Sequence, residues 1–438
     1  MVNDKVKKRS PWQFVPTQYF AEGIPWVIVN QLSTALYKSL EVSNLFIGFT
    51  SFLYLPWSIK LFWGPFVDSI ATKRKWVLWM QLALAVCFGI LALTLNLSGF
   101  IFISLIIFTA IAFLSATHDI ATDGFYLHAL DKKEQAFFTG IRSTFYRVAM
   151  IFSGGVLLAV VGWLAGENNV KIKLGWTTAF IIAGVVFLLL YLYHTYILPY
   201  PKTDLPVKDK TDSVPYKLIF KEYFTQNKIG VILAYILLYR FGEALLLKMA
   251  QPFFLDKPEL GGLGLGLSEV GIYYGTVGII SLLTGGIAGG WLVKKYGLKK
   301  LVWFLALSMN IPTVLFVYMA AAKPLYLMSI DFSWLFGAGS IIRFHPIIQL
   351  CIIIEQLGYG LGFTAYMVYL LYISKGKFKT SHYAISTGIM AFGMMLPGFI
   401  SGAIQEQVGY FWFFSISVLM TIPGMLTIIF LPLDFNDD

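Results

Sequence analysis

Apolar stretches of roughly 20 residues recur along the whole chain, separated by turn residues and charges. That is the length a helix needs to span ~30 Å of hydrocarbon at ~1.5 Å per residue. Twelve such stretches are predicted as membrane-spanning helices: 14–38, 44–67, 76–97, 100–128, 137–165 and 176–198, then 229–255, 268–292, 300–322, 346–374, 382–405 and 411–432. Between the sixth and seventh lies Tyr200–Gln226, the one long charged connector, with several prolines and charges of both signs. The pattern therefore predicts an all-α membrane protein of twelve transmembrane helices, with residues 1–198 as one half, 199–228 as a linker and 229–438 as the other half.

Composition agrees, since 58% of the 438 residues are hydrophobic and only 13% are charged. Loop cations set the orientation. Twenty-two Lys and Arg fall on the N-terminus, the linker and the loops of the same side, against six on the other. This bias puts both termini and the linker in the cytoplasm, and the even number of spans agrees. The net charge of +10 then reflects topology and gives no reason to expect a nucleic-acid partner. The basic stretch Lys5–Arg9 before the first apolar run resembles a signal peptide, but without a small-residue cleavage site it reads as the start of a retained helix. Cys87 and Cys351 lie mid-span, so neither a disulfide nor a cysteine-held metal is expected. Five scattered histidines and no phosphate-cradling glycine loop or catalytic triad leave no metal, no cofactor and no enzyme to look for. A monomer in the bilayer is expected.

Ten charged side chains break the rule of apolar spans: Glu22, Lys60, Asp119, Asp123, Arg142, Arg147, Arg240, Glu243, Lys248 and Glu355. A charge at membrane depth costs at least ~2.5–3.5 kcal/mol, so these residues should face a protein-lined or wet interior. The densest group is Ser115-Ala-Thr-His118-Asp119-Ile-Ala-Thr122-Asp123-Gly124. Asp119 and Asp123, four apart, project from one helical face, with His118 and Thr122 on the adjacent one. Lys60, Arg142 and Arg147 fall at comparable depth. These groups either form a mutually neutralising cluster on the cytoplasmic side or handle substrate and protons. Arg240 and Glu243, three apart, either pair on their own helix or leave the arginine fork for a ligand carboxylate or phosphate. Lys248 is expected to snorkel outward. Glu22 sits beside Gly23 and Pro25, where the helix can bend and backbone carbonyls are freed. Glu355, beside Gln356, is a candidate proton site. Most aromatics of these spans, Tyr19 and Trp57 among them, read as lipid-facing belts or packing.

A motif recurs between the second and third spans of each half at an offset of 226. Gly64-Pro-Phe-Val-Asp68-Ser-Ile-Ala71-Thr-Lys73-Arg74-Lys75 is followed by Gly290-Trp-Leu-Val-Lys294-Lys-Tyr-Gly297-Leu-Lys299-Lys300. The glycine allows close helix approach and the basic cluster pins the turn to the cytoplasmic face. Together with six plus six spans and a charged central linker, this motif resembles the major facilitator superfamily. Ala71 stands where that family usually has a turn glycine, and Lys294 where the second copy has an acid. The resemblance implies two six-helix bundles, with spans 1, 4, 7 and 10 lining a central cavity. The segments Lys60-Leu-Phe-Trp63-Gly64-Pro65-Phe-Val-Asp68 and Ser115–Asp123, with Tyr146-Arg147 and Gly23-Ile24-Pro25, further resemble AmpG-type muropeptide permeases and the related acetyl-CoA transporters.

That closer resemblance implies a proton-linked importer of an anionic cell-wall fragment, in a bacterial inner membrane. A larger phosphorylated or acyl-CoA anion, or export, is the alternative, and a non-transporting sensor the remote one. Arg147, Arg240, Glu22, Lys60 and Tyr146 are then expected to meet the substrate. Asp119, Asp123, His118, Glu243, Glu355 and Arg142 are expected to couple protons or gate. The stretch Pro324–His345, aromatic and weakly charged, is expected outside the membrane.

Overall fold

The computed structural model describes residues 9–166, 171–206, 216–331, 341–374 and 378–433. It divides into two compact units, one of Met1–Ser33 with Leu55–Val214 and one of Thr34–Tyr54 with Pro215–Asp438. The sequence reading had placed residues 34–54 in the first half; by packing they group with the second unit. Among the described residues nine helices are long and apolar enough to cross a membrane: Lys73–Thr94, Phe100–Ala129, Phe137–Ala165, Ile172–Ile197, Ile229–Leu255, Leu267–Tyr296, Leu298–Ala322, Pro346–Ile373 and Ser381–Phe430.

The difference from twelve has local causes. The expected span 14–38 is broken into helix α1 (Val15–Val27), a π-helical turn at Ile28–Leu32 and helix α2 (Ser33–Ser39). Pro25 lies inside α1 and withholds the N–H that would bond the carbonyl of Ala21, so the ladder changes register just beyond it. The expected span 44–67 alternates between α-helix and 3-10 turns: α3 (Asn44–Phe49), Thr50–Tyr54, α4 (Leu55–Ile59), Lys60–Phe62 and α5 (Gly64–Ile70). The first of the last two expected spans runs on into the second with a kink at Gly409, whose backbone (φ 73°, ψ 170°) is one a residue with a side chain would resist.

In the first unit, α6 (Lys73–Thr94), α7 (Phe100–Ala129), α8 (Lys132–Met150), α9 (Leu158–Ala165) and α10 (Ile172–Ile197) follow. Helix α8 starts at a capping box, with Asp131 accepting from the backbone of Lys133 and Glu134 (3.0 and 2.9 Å) while Glu134 accepts from that of Asp131 (3.1 Å). A second π-helical stretch, Ile151–Leu157, joins α8 to α9 and packs on the one in the first span. Gly23 lets α1 touch α8: a Cβ there would stand 2.8 Å from the Ala149 Cβ and 2.9 Å from the Tyr146 carbonyl.

The second unit continues with α11 (Tyr216–Phe224), α12 (Ile229–Leu238), α13 (Phe241–Leu255), α14 (Leu267–Ile272), α15 (Ile279–Tyr296), α16 (Leu298–Asn310), α17 (Val314–Ala322), α18 (Pro346–Ile373), α19 (Lys379–Leu419) and α20 (Thr421–Thr427). Helices α15 and α18 meet backbone to backbone, because a Cβ at Gly285 would overlap the Leu357 carbonyl and one at Gly360 the Leu282 carbonyl. The hairpin of residues 34–54 is held by a closed polar network. Lys38 pairs with Asp256 (2.6 Å) and donates to Asn44 (2.9 Å); Tyr410 donates to Asp256 (2.6 Å) and accepts from Asn44 (3.0 Å); Asn44 also donates to Gln405 (2.6 Å).

The described residues are almost wholly α-helical; an exception is a short antiparallel pair, Met328–Asp331 with Ile341–Phe344, within the segment 324–345, whose residues 332–340 lie outside those described. The stretch 199–228, expected as a linker, carries a helix of its own. Helix α11 buries Ile219 and Tyr223, whose hydroxyl meets Ser386 Oγ at 2.8 Å.

Candidate functional site

Charge clusters occur in both units. In the first, α7 presents Asp119 and Asp123 on one face, as their spacing requires. Lys60, in the 3-10 turn before α5, pairs with Asp119 at 3.3 Å. Arg142 of α8 pairs with Asp123 at 2.8 Å, and the Tyr19 hydroxyl of α1 donates to the same carboxylate oxygen at 2.8 Å. The Arg142 guanidinium lies over the Tyr19 and Tyr126 rings (4.5 and 4.8 Å). Glu22, one residue short of the close α1–α8 contact at Gly23, faces Asp123, Asp119, Lys60 and Arg142, and its Oε2 is buried with no hydrogen-bond partner. Three acids thus meet two bases. Tyr19, read from sequence as belt or packing, is a buried ligand of the acid cluster; nothing in its local sequence marks it, since its partner lies 104 positions away. Arg147 and Tyr146 stand half-buried on α8 one turn beyond Arg142.

His118 does not join the acids. About 100° around the helix from Asp119, it is fully buried and bonded to Gln81 of α6 (3.2 Å). Gln81 continues to His194 of α10 (3.0 Å), and His194 to Thr17 of α1 (2.9 Å). This chain of buried polar groups ties four helices together, and His118 is one of its members. The sequence hid it because its members come from four separate spans.

In the second unit, Arg240 and Glu243 form the two-pronged pair that their spacing suggested, Nε to Oε2 at 3.0 Å and Nη2 to Oε1 at 2.9 Å. Their side chains are only 8% and 3% exposed. Arg240 also donates to the Tyr359 hydroxyl (2.7 Å) and lies over the Phe363 ring (4.8 Å). Glu355 is buried and accepts from the Gln356 amide at 2.8 Å, with no cation paired to it among the described residues. Lys248 does not snorkel; it is buried, bonded to Thr50 Oγ1 (2.8 Å) and Thr34 Oγ1 (3.5 Å).

The repeated loop motif is asymmetric. In the first copy Lys73 pairs with Asp68, and its stem lies where a Cβ on Gly124 would stand (2.8 Å from Cε). Asp204 accepts from the backbone N–H groups of Lys73 (2.7 Å) and Arg74 (3.0 Å), capping α6. Arg74 in turn donates to the Thr195 and Leu198 carbonyls at the end of α10 (2.6 and 3.2 Å). Ala71 replaces a turn glycine without strain because its backbone is extended (φ −151°, ψ 169°), whereas Gly297 keeps a positive φ of 80°. In the second copy Lys294 is exposed. The glycines Gly64 and Gly290 are not the points of close approach expected of them: beyond their own helices and chain neighbours, no described atom lies within 4 Å of a Cβ on Gly64, and only Thr364 Cγ2, at 3.9 Å, near one on Gly290.

Bilayer-length helices with opposed charges buried inside them define a polytopic membrane transporter fold. The profile of the Major Facilitator Superfamily matches residues 17–352, and the chain belongs to that superfamily. It is 24% identical over 418 residues to the anhydromuropeptide permease of Escherichia coli K12, covering 94% of this chain and 77% of that one. It is 25% identical over 419 residues to an uncharacterized Haemophilus influenzae protein, covering 93% and 91%. Among solved structures it resembles a D-xylose-proton symporter with a TM-score of 0.70 at 11% identity, over 96% of this chain and 98% of that one.

Proposed function

We propose that this protein is a proton-coupled secondary transporter that imports an anionic organic solute, an anhydromuropeptide-type cell-wall fragment, by alternating access. In this reading it crosses a bacterial inner membrane twelve times as a monomer, with both termini cytoplasmic. The broken stretches 14–38 and 44–67 and the two arms about Gly409 supply the crossings beyond the unbroken helices. The observation that carries the coupling is the cluster of Glu22, Asp119 and Asp123 against Lys60 and Arg142. With all five ionised it holds one negative charge in excess, which a proton can neutralise. Glu355, with no cation facing it among the described residues, is a second place where only a proton can cancel the charge.

The muropeptide assignment is supported by the similarity to the Escherichia coli permease along nearly the whole chain. Arg147 and Tyr146 meet the solute, and Arg240 does so by exchanging Glu243 for a solute carboxylate, to which its planar fork is suited. The test is uptake of labelled anhydromuropeptide into proteoliposomes with and without an inward proton gradient, with acetyl-CoA as competitor. Saturable uptake that needs the gradient and ignores acetyl-CoA supports the reading. Uptake of acetyl-CoA instead, or none, sinks the substrate assignment.

A further inference from the structure

Three interior cations are matched by carboxylates: Lys60 by Asp119, Arg142 by Asp123 and Arg240 by Glu243. Lys248 is different. Among the described residues no carboxylate stands near its ammonium, and its bonds go to two threonine hydroxyls. Thr50 spends its own proton on the Ile47 carbonyl (2.7 Å), so it offers Lys248 lone pairs alone. An ammonium has three N–H donors. One is used well at 2.8 Å, a second at the 3.5 Å limit, and the third has no acceptor among the described residues.

The surroundings contain further unspent polarity. Ser51 Oγ and Gln251 Oε1 are buried without hydrogen-bond partners. Gln251 is three residues after Lys248 on α13 and therefore on the same face. Ser51 follows Thr50, and Gly398 of α19 keeps room beside both: a Cβ there would lie 2.5 Å from Ser51 Oγ and 3.9 Å from Lys248 Cγ. Buried polar groups are ordinarily satisfied, and a buried cation ordinarily has its counter-ion. Here the cation lacks a counter-ion among the described residues, and a hydroxyl beside Gly398 and an amide oxygen one helical turn along α13 lack hydrogen-bond partners.

We propose that Lys248 is the receiving site for a carboxylate of the transported solute, with the Ser51 hydroxyl as an auxiliary donor to that carboxylate and the Gln251 amide oxygen as an acceptor for a neighbouring N–H or O–H of the solute. The bound carboxylate supplies the missing counter-charge, and the two threonines hold the ammonium in place between loads. The inference rests on the reading of the protein as an importer of an anionic solute, and narrows it to a carboxylate.

The test combines two measurements on Lys248→Met and Lys248→Arg. In proteoliposomes, wild type and variants are compared for uptake of labelled anhydromuropeptide with free carboxylates and with its carboxylates amidated. Lys248→Met is expected to raise KM for the free acid at least tenfold and leave the amidated form within twofold, and Lys248→Arg to keep the preference for the acid. In detergent, N-acetylmuramic acid is expected to raise the unfolding temperature of wild type, its methyl ester not, and neither that of Lys248→Met. Removing an unmatched buried charge is also expected to raise the unfolding temperature of the ligand-free Met variant. Equal losses for acid and amide, or an acid shift that persists in Lys248→Met, overturn the proposal while the transport reading stands. A Lys248-dependent acid shift in a protein that takes up no anhydromuropeptide upholds the site and overturns the substrate assignment.

Discussion

The pair Arg240–Glu243 offers the sharpest energetic test, because its side chains are 8% and 3% exposed and little screening dilutes the interaction. Arg240→Met removes two charge-assisted bonds to Glu243 and one to Tyr359, and strands a carboxylate in the interior. Breaking a buried pair from one side costs about 3–5 kcal/mol. At roughly 2–4 °C per kcal/mol for a domain-sized unit, the unfolding temperature should fall by roughly 6–20 °C. Glu243→Gln should cost a similar amount, since it leaves the guanidinium unmatched. The double variant Arg240→Met/Glu243→Gln, with no charge left to desolvate, should return to within about 2 kcal/mol of wild type. The assay is thermal unfolding of the four proteins in one detergent, read as a double-mutant cycle. If Arg240→Met alone leaves the unfolding temperature unchanged, the pair is not a buried unit and the reasoning fails. Uptake by the double variant then separates two roles. A stable protein with uptake at least tenfold lower fits a guanidinium that serves the solute, and wild-type uptake leaves Arg240 as an anchor alone.

Other consequences concern packing and caps. Gly285→Val should prevent folding or expression, because its side chain would overlap the Leu357 carbonyl, while Gly64→Ala should be neutral within about 0.5 kcal/mol; expression level and unfolding temperature decide both. Asp204→Ala should cost about 1–2 kcal/mol by freeing the first two N–H groups of α6, which the Thr72 cap does not reach, and should speed protease cleavage near residues 198–206, which limited proteolysis would show. Gln81→Leu should break the His118–Gln81–His194 chain and destabilise by about 2–4 kcal/mol, without changing the pH dependence of uptake. A shifted pH profile in that variant would return His118 to the coupling machinery.

What the sequence revealed depended on whether the information was local. The helix Phe100–Ala129 was expected over 100–128, because an uninterrupted apolar run sets its own length. The i,i+3 spacing of Arg240 and Glu243 likewise announced their pairing. By contrast, Pro25 marks a place where a helix can break, yet that the chain answers with a π turn is decided by what packs against it. Lys60 and Asp119 are 59 positions apart and Tyr19 and Asp123 are 104 apart, so composition required partners for the acids without naming them. His118 neighbours Asp119 in sequence but not around the helix, so its bond to Gln81 could not be read from the local sequence. Lys248 misled for a related reason: a long side chain near a span end usually reaches water, and the hairpin of residues 34–54 instead supplies the hydroxyls that hold it inside.

The account stands or falls on whether solute and protons move together. The most direct measurement uses proteoliposomes loaded with a pH-sensitive dye, with no imposed gradient and the membrane potential clamped, to which anhydromuropeptide is added outside. Prompt internal acidification that saturates with solute, and is absent in Asp119→Asn/Asp123→Asn, is the predicted result. Solute accumulation with no change in internal pH, or accumulation that requires sodium, would contradict it.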